Sequence, residues 1–240
     1  MNETAIIKIE EHRNEKVGRR RATGKMSRQI TQAQCIHTKR LELKPYRKSD
    51  TEQLMRLLTN EKITKTFMVP DFEAEEQLLG LVSKLIAFSQ REDTAHLEYG
   101  IYLKDALIGF INDCGTEGDE IEIGYVIHPD YEGKGYATEA VSAVIQDLFE
   151  MGFQSIVAGY FEENTASCRV MEKCGMKQIS KSNTEEYRGV THTCRYCRIS
   201  NPKRCQECFY IIITIRPSVP LRICLIWTGK RLIRYFSKLP

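Results

Sequence analysis

No run of about 18 apolar residues occurs in the 240-residue chain, so no segment reads as a membrane-spanning helix. No secretory signal opens it either. Met1 to Gly24 is polar and holds the run Arg19-Arg20-Arg21, which points to the cytoplasm. A disulfide framework is missing. The nine cysteines are odd in number and scattered, so they read as free thiols of a reducing compartment. Internal repeats are absent as well. Charge, by contrast, is present and unevenly spread. Residues 1–39 carry nine Lys/Arg against four Asp/Glu, residues 201–240 carry eight against one, and residues 40–200 carry 18 against 27. The net charge of +3 therefore conceals an acidic body between basic ends. That argues against a nucleic-acid-binding core. It suits a cationic partner such as an amine, although an ordinary solvated surface would give the same counts.

Residues 1–37 show no apolar period and read as a flexible basic extension, within which Met26 is an alternative start to Met1. Arg40–Lys44 alternates like a strand that Pro45 ends. Ser49 with Glu52 forms a capping box ahead of Leu54, Leu57 and Leu58. Asp71 is placed to cap a second helix, with Leu78, Leu81, Val82 and Leu85 on one face. Strands are expected over Leu97–Leu103, Leu107–Asp113 and Glu120–Ile127. Ala137, Ala140, Val141, Val144, Ile145, Leu148 and Phe149 then recur with a helical period, closed by Gly152. Ser155–Phe161 is a further strand, Asn164 caps a short helix ended by Gly175, and Met176–Ser182 with Thr191–Ile199 makes a final hairpin. This order implies a mixed α/β sheet with helices on both faces.

The stretch HPDYEGKGYATEAV carries Gly133-Lys134-Gly135-Tyr136-Ala137-Thr138 between a strand and a helix. Glycines allow close backbone approach, and the first helical N–H groups with the helix dipole favour an anion. A Walker A loop is ruled out, because Lys134 is followed by Gly135 rather than Ser or Thr. A Rossmann fingerprint survives in part, with Glu162 or Glu163 as the later acid, but Thr138 stands where its third small residue belongs. Gly124, inside an apolar strand, marks a bulge or a close backbone approach. A bulge there would splay the strand from Ser155–Phe161 and expose backbone groups to an amide-containing ligand. Pyrophosphate at one end and amides in the middle describe coenzyme A.

Three segments, TKRLELKPY, EIGYVIHPDYEGKGYATEA and ENTASCRVMEKCGM, resemble the GCN5-related N-acetyltransferases (GNAT), and within them the RimJ/RimL type. The likeness covers residues 38–200 and leaves residues 201–240 as a basic, Cys-containing apolar tail. It implies a GNAT fold: a mixed, mostly antiparallel six- to seven-stranded sheet whose fourth and fifth strands, Glu120–Ile127 and Ser155–Phe161, splay around coenzyme A. It also implies a monomer or homodimer that passes an acetyl group from acetyl-CoA to a primary amine by direct attack in a ternary complex. A protein N-terminus is the acceptor that the RimJ/RimL likeness suggests. A small amine such as a polyamine or aminoglycoside, or a non-catalytic CoA-binding regulator, remains open beside it. The chain departs from the family at Glu132, where Gln or Arg is usual, and at Met171, where many relatives carry a proton-donating tyrosine. RimJ/RimL-type chains instead have a serine three residues after the capping Asn, and Ser167 matches.

An amine attacks a thioester only when neutral. An α-amine, with a pKa of about 7.7–8.0, is partly so near neutral pH, whereas lysine at about 10.4 is not. Glu122 is the candidate base, acting through water, against the alternative of a solvated hairpin residue. Ser167 is the candidate partner of the CoA sulfur, against plain helix-start chemistry. Asn164 matches a CoA-contacting residue and equally an N-cap. Backbone N–H groups of Tyr125, Val126 and Ile127 would meet pantetheine and polarise the thioester. Gly133, Lys134, Gly135, Tyr136, Ala137 and Thr138 would hold pyrophosphate. His128 shapes the turn, and Cys168 and Cys174 pack their helix. Cys194, Cys197, Cys205 and Cys208 have paired CxxC spacing, but the spacer is short and strand positions three apart face opposite ways, so no metal site is expected. Leu232, Ile233 and Phe236, interleaved with Lys230, Arg231, Arg234 and Lys238, suggest a basic amphipathic helix or a tail of no defined structure.

Overall fold

A computed structural model describes residues 30–32, 35–91, 93–94 and 96–202, together with the backbone of 210–213, 221–227 and 232–238. The rest of the basic extension, including Met26, lies outside the described residues, as do Cys205 and Cys208. The chain divides into two compact units, one ending at Ile199 and the other beginning at Ser200. Among the described residues no helix is long and apolar enough to cross a membrane.

The first unit is built on one eight-stranded sheet. Its strands are β1 (Ile36–His37), β2 (Glu42–Lys44), β3 (Glu98–Leu103), β4 (Ala106–Glu117), β5 (Glu120–Ile127), β6 (Ser155–Phe161), β7 (Lys177–Tyr187) and β8 (Val190–Ser200). They lie in the order β1-β2-β3-β4-β5-β6-β8-β7. All resolved pairings are antiparallel except β5 with β6. The eighth strand, beyond the expected six or seven, is the two-residue β1, which pairs with β2 at the edge.

Alternation along the strands divides the core between the two faces. Helix α4 (Tyr136–Glu150) buries Ala140, Val141, Val144, Ile145, Leu148 and Phe149, the stripe that its period predicts. With Met171 of α5 (Thr165–Lys173) it covers Ile121, Ile123, Ile156 and Ala158. The opposite face carries α1 (Thr51–Thr59), α2 (Glu61–Thr64) and α3 (Glu75–Ser89), packed on Tyr102, Phe110 and Val126. A smaller cluster on that face joins Val157 and Phe161 to Cys194 and Tyr196, with Met68 and Tyr187 against it.

Three local expectations are corrected. The start of α1 is organised by Asp50 rather than Ser49. Asp50 accepts from Arg47 N–H at 2.7 Å and from the Tyr102 hydroxyl at 2.6 Å, and this buried partner outweighs a solvent-facing serine. Helix α3 begins at Glu75 without Asp71, which instead pairs with Arg188 at 3.2 Å. Leu232–Lys238 is a strand, not a helix. In the second unit it pairs throughout with Leu221–Trp227, which also pairs with Tyr210–Ile213, so interstrand bonds override a short helical period. Cys194 and Cys197 fall into different clusters on opposite faces of β8.

Asp50 is a test of this packing. Asp50→Ala leaves the buried Tyr102 hydroxyl only a 3.5 Å contact to Pro45 O and should cost ~1–3 kcal/mol in urea unfolding. Asp50→Ala combined with Tyr102→Phe should cost less than the sum of the two single changes, because the buried Tyr102 hydroxyl is then removed with its acceptor and only Arg47 N–H still loses its partner.

Candidate active site

The parallel register of β5 and β6 runs from Glu120↔Ser155 to Glu122↔Val157 and ends there, although β5 continues to Ile127 and β6 to Phe161. The expected bulge lies not at Gly124 but on the neighbouring strand. The β4–β5 register shifts between Asp113 and Gly115, so Cys114 is the extra residue. Gly124 marks the close approach instead. A methyl group there would lie 3.0 Å from Asn112 Oδ1, 3.1 Å from Cys114 Sγ and 3.2 Å from a Phe67 ring carbon. Across the gap, a methyl group on Gly159 would lie 3.0 Å from the Tyr196 ring.

The backbone edge that faces this gap follows from alternation. His128 N–H donates to Ile108 O at 2.8 Å. Val126, two residues earlier, therefore also turns its amide to β4, and the amides of Tyr125 and Ile127 face the gap. Of the three expected N–H groups, two thus point toward β6.

At the end of β5 the chain turns into α4. Gly133 and Gly135 have φ of +71° and +81°, conformations that favour glycine. Gly135 is the N-cap of α4 and brings no side chain to it. The first-turn N–H groups of Tyr136, Ala137 and Thr138 consequently have no intrahelical acceptor, and nothing lies within 4 Å of a methyl group built on Gly133. This cradle fits the phosphates of a CoA-type ligand. Lys134 does not point into it. Its ammonium donates to Asp130 O at 2.7 Å. Asp130 N–H donates to His128 Nδ1 at 3.3 Å, the turn-shaping part expected of that histidine. Glu132 is exposed.

Arg40, which sequence reasoning passed over, supports the turn from β2's leading edge. Its guanidinium donates to Lys134 O at 2.9 Å and to Glu139 Oε2 at 2.7 Å, and it lies 4.4 Å over the Tyr136 ring. Arg40 N–H and the Thr38 hydroxyl both donate to Glu139 Oε1, at 2.8 and 2.7 Å. No spacing rule links residues about a hundred positions apart in the chain.

On the α4/α5 side of the gap stands Ser167. Asn164 Oδ1 accepts from Ser167 N–H at 3.1 Å and caps α5. Reaching across from β5, the Tyr125 hydroxyl lies 2.9 Å from Ser167 O and 2.8 Å from Ser167 Oγ. Burial pushes the Tyr125 hydroxyl well above its ordinary pKa, so it stays protonated and donates. Met171 is buried in the core. Cys174 packs between helices, with Ser142 Oγ donating to its sulfur at 3.4 Å, and burial raises its pKa.

Glu122 is on the other face. It is 7% exposed, and its Oε1 lies 3.6 Å from a methyl group built on Gly159. Lys181 Nζ is 4.0 Å from Oε2 and 4.1 Å over the Tyr196 ring. The hairpin tip closes this side. Tyr187 Oη accepts from Val69 N–H at 3.3 Å, and Arg188 Nη1 donates to Thr64 Oγ1 at 3.0 Å. Glu122 and Ser167 therefore do not meet on one face; they flank the gap from opposite faces.

The clamp on the turn has a pH signature. Burial opposes ionisation of Glu139, but bonds from Thr38 and Arg40 outweigh it and hold the carboxyl below its ordinary value. A depressed folded pKa contributes stability above the unfolded value of about 4.3, and that stability is lost as pH falls through the folded value. The urea midpoint of the wild type should therefore drop more steeply between pH 5 and pH 3 than that of Glu139→Gln.

Comparison with known proteins agrees with this geometry. A sequence profile of the acetyltransferase (GNAT) domain matches residues 40–177. The uncharacterised N-acetyltransferase YnaD of Bacillus subtilis is 32% identical over 147 residues, covering 60% of this chain and 82% of that protein. The crystal structure of a GNAT-family acetyltransferase from Bacillus anthracis superposes with a TM-score of 0.59 at 27% identity, over 69% of this chain and 98% of its own. RimL, a ribosomal L7/L12 α-N-protein acetyltransferase solved with coenzyme A, gives 0.60 at 18% identity over 69% and 97%, a likeness of fold. With the family profile spanning more than half of the chain, this protein belongs to the GNAT acetyltransferase family and is an acyltransferase of the N-acetyltransferase type.

Proposed function

We propose that the enzyme moves the acetyl group of acetyl-CoA to the α-amine of a protein N-terminus, by direct attack within a ternary complex. The observation that carries this reading is the end of β5–β6 pairing at Glu122↔Val157 beside a glycine-started helix. Phosphates fit the cradle of Gly133, Gly135 and the first-turn amides of Tyr136, Ala137 and Thr138. Pantetheine amides fit the gap-facing edge of Tyr125 and Ile127. A thioester lying there has Ser167 on one side and Glu122 on the other.

In this arrangement Ser167 stabilises the departing thiolate. Tyr125 supports it, because it can donate its one proton to Ser167 Oγ and so release the serine proton toward sulfur. Glu122 draws the ammonium in and takes its proton through water. Lys181 shares that carboxylate, so the site suits an amine that is already partly neutral. An α-amine with a pKa near 7.7–8.0 meets that condition better than a lysine near 10.4. Likeness to RimL supports the fold, and the acceptor reading rests on this electrostatic argument.

Calorimetry and turnover together test the proposal. Gly135→Asp or Ala137→Glu should raise the Kd for acetyl-CoA at least tenfold, about 1.4 kcal/mol, since each puts a carboxylate where phosphate should lie. Ser167→Ala and Glu122→Gln should keep that Kd and lower kcat, by roughly 10²–10⁴-fold for a lost acid or base. Among an N-terminal peptide, an Nα-blocked lysine peptide and spermidine, the first should show the highest kcat/KM near pH 7. Tight acetyl-CoA binding without transfer to any amine would instead favour a CoA-binding regulator.

A further inference from the structure

We propose that His192, oriented by Glu163, is a second proton acceptor on the acceptor side of the gap and deprotonates the incoming primary ammonium. The inference rests on the acetyl-transfer reading above. His192 Nδ1 lies 2.5 Å from Glu163 Oε1, and its ring stacks on Phe161 with centroids 4.1 Å apart and planes within 7°. A carboxylate on Nδ1 fixes the proton there, which leaves the lone pair on Nε2. No second hydrogen bond of this ring occurs among the described residues, and the side chain is 12% exposed. Among the described residues its Nε2 therefore has no protein partner.

Its position is the second argument. Phe161 shares its face of β6 with Val157 and Gly159, and Gly159 lies against Glu122. At about 3.3 Å per residue, Phe161 is roughly 7 Å further along the strand than Gly159. His192 and Glu122 therefore stand on the same face of the sheet, on the two strands that flank β6. Their surroundings differ. Glu122 has the Lys181 ammonium beside it. Around His192 stand Glu163 from the β6–α5 loop, Glu185 directly opposite on β7, the Tyr187 ring at 6.4 Å, and Lys65 acting on Glu163. Glu185 accepts from Asn183 Nδ2 at 2.7 Å. Glu163 is held below its ordinary value, first by its own backbone N–H and then by His192 and Lys65, so it is an anion at working pH. Imidazole, ordinarily near 6.5, is closer to that pH than a carboxylate near 4.3 and is the better matched base.

The step balances as follows. One N–H proton of the ammonium passes to His192 Nε2, and the freed lone pair forms the C–N bond to the acetyl carbonyl carbon. The C–S bond breaks with its electron pair on sulfur. A second N–H proton ends on that sulfur, and His192 returns its proton to water.

The experiment measures kcat/KM against pH at saturating acetyl-CoA for the full chain, His192→Gln and Glu163→Gln, with acetyl-CoA Kd measured in parallel. His192→Gln should lose about 10²-fold at pH 7 with Kd within twofold. That deficit should shrink as pH nears the acceptor's own pKa, where the amine needs no base. Glu163→Gln should move the acid limb to lower pH, because the imidazolium loses its anion. A His192→Gln profile matching wild type, or an unmoved limb in Glu163→Gln, overturns the proposal. If the wild type binds acetyl-CoA yet acetylates no amine, the transfer reading fails separately. The ¹⁵N shifts of His192 then decide: an unprotonated Nε2 near pH 8 supports the inference, and a protonated one overturns it.

Discussion

The interaction on which the rest depends is one that stops. Strands β5 and β6 pair at three positions and then part after Glu122↔Val157, and the proposed site residues are arranged around the opening. Two open strand edges inside a sheet would ordinarily close on each other, because unpaired backbone groups are costly. Here each strand is held from its outer side. β5 is bonded along its length to β4, with Cys114 bulged out between the paired residues Asp113 and Gly115. β6 neighbours β8, and Glu162 N–H just past it donates to Thr193 O at 2.8 Å. Glycines sit on both banks, and large groups occupy the places their side chains would take: Phe67, Asn112 and Cys114 over Gly124, and Tyr196 over Gly159. Packing over both glycines wedges the opening from the Glu122 face.

Alternation along β5 then assigns the work. Tyr125 belongs to the α4/α5 face and holds Ser167, whereas Glu122 belongs to the face of Lys181 and Tyr196. In the proposed mechanism, odd and even positions of one strand serve the leaving group and the incoming group. This agrees with the need to bring two substrates to one carbon from opposite directions. A one-residue slip of β5 would exchange the two sets and destroy both, so the bulge at Cys114 matters for register as well as for shape.

Much of this was legible in the sequence, for reasons that are local. The stripe of α4 is a period within one segment, and the glycine turn and the Asn164 cap each act over a few residues. The parts that were not legible act across distance. Arg40 reaches Lys134 and Glu139 from another strand, and His192 meets Glu163 across a gap of 29 residues. The misplacements follow the same rule. Ser49 and Asp50 are adjacent in the chain, and Asp50 takes the N-cap position of α1 with its carboxylate turned to Arg47 N–H and the Tyr102 hydroxyl rather than to the helix. Gly124 and Gly115 both allow a bulge, and the packing of Phe67 on Gly124 assigns it to β4 instead.

Glu132 illustrates how the turn tolerates an unfavourable charge. A carboxylate at this position would repel phosphate if the binding charge came from side chains. In this turn the charged side chains serve shape: Lys134 ties to Asp130 O, and Arg40 ties Lys134 O to Glu139. The groups left to face an anion are backbone N–H groups and the helix N-terminus, whose direction is fixed by the positive φ of Gly133 and Gly135. Backbone recognition needs no particular residue at position 132, only that the exposed Glu132 side chain turn outward into water, where screening weakens it. Arg40 also brings a guanidinium close to the cradle, since a methyl group on Gly135 would lie 3.5 Å from its Nη2. A guanidinium from outside the motif, paired with Glu139, thus stands beside Gly135.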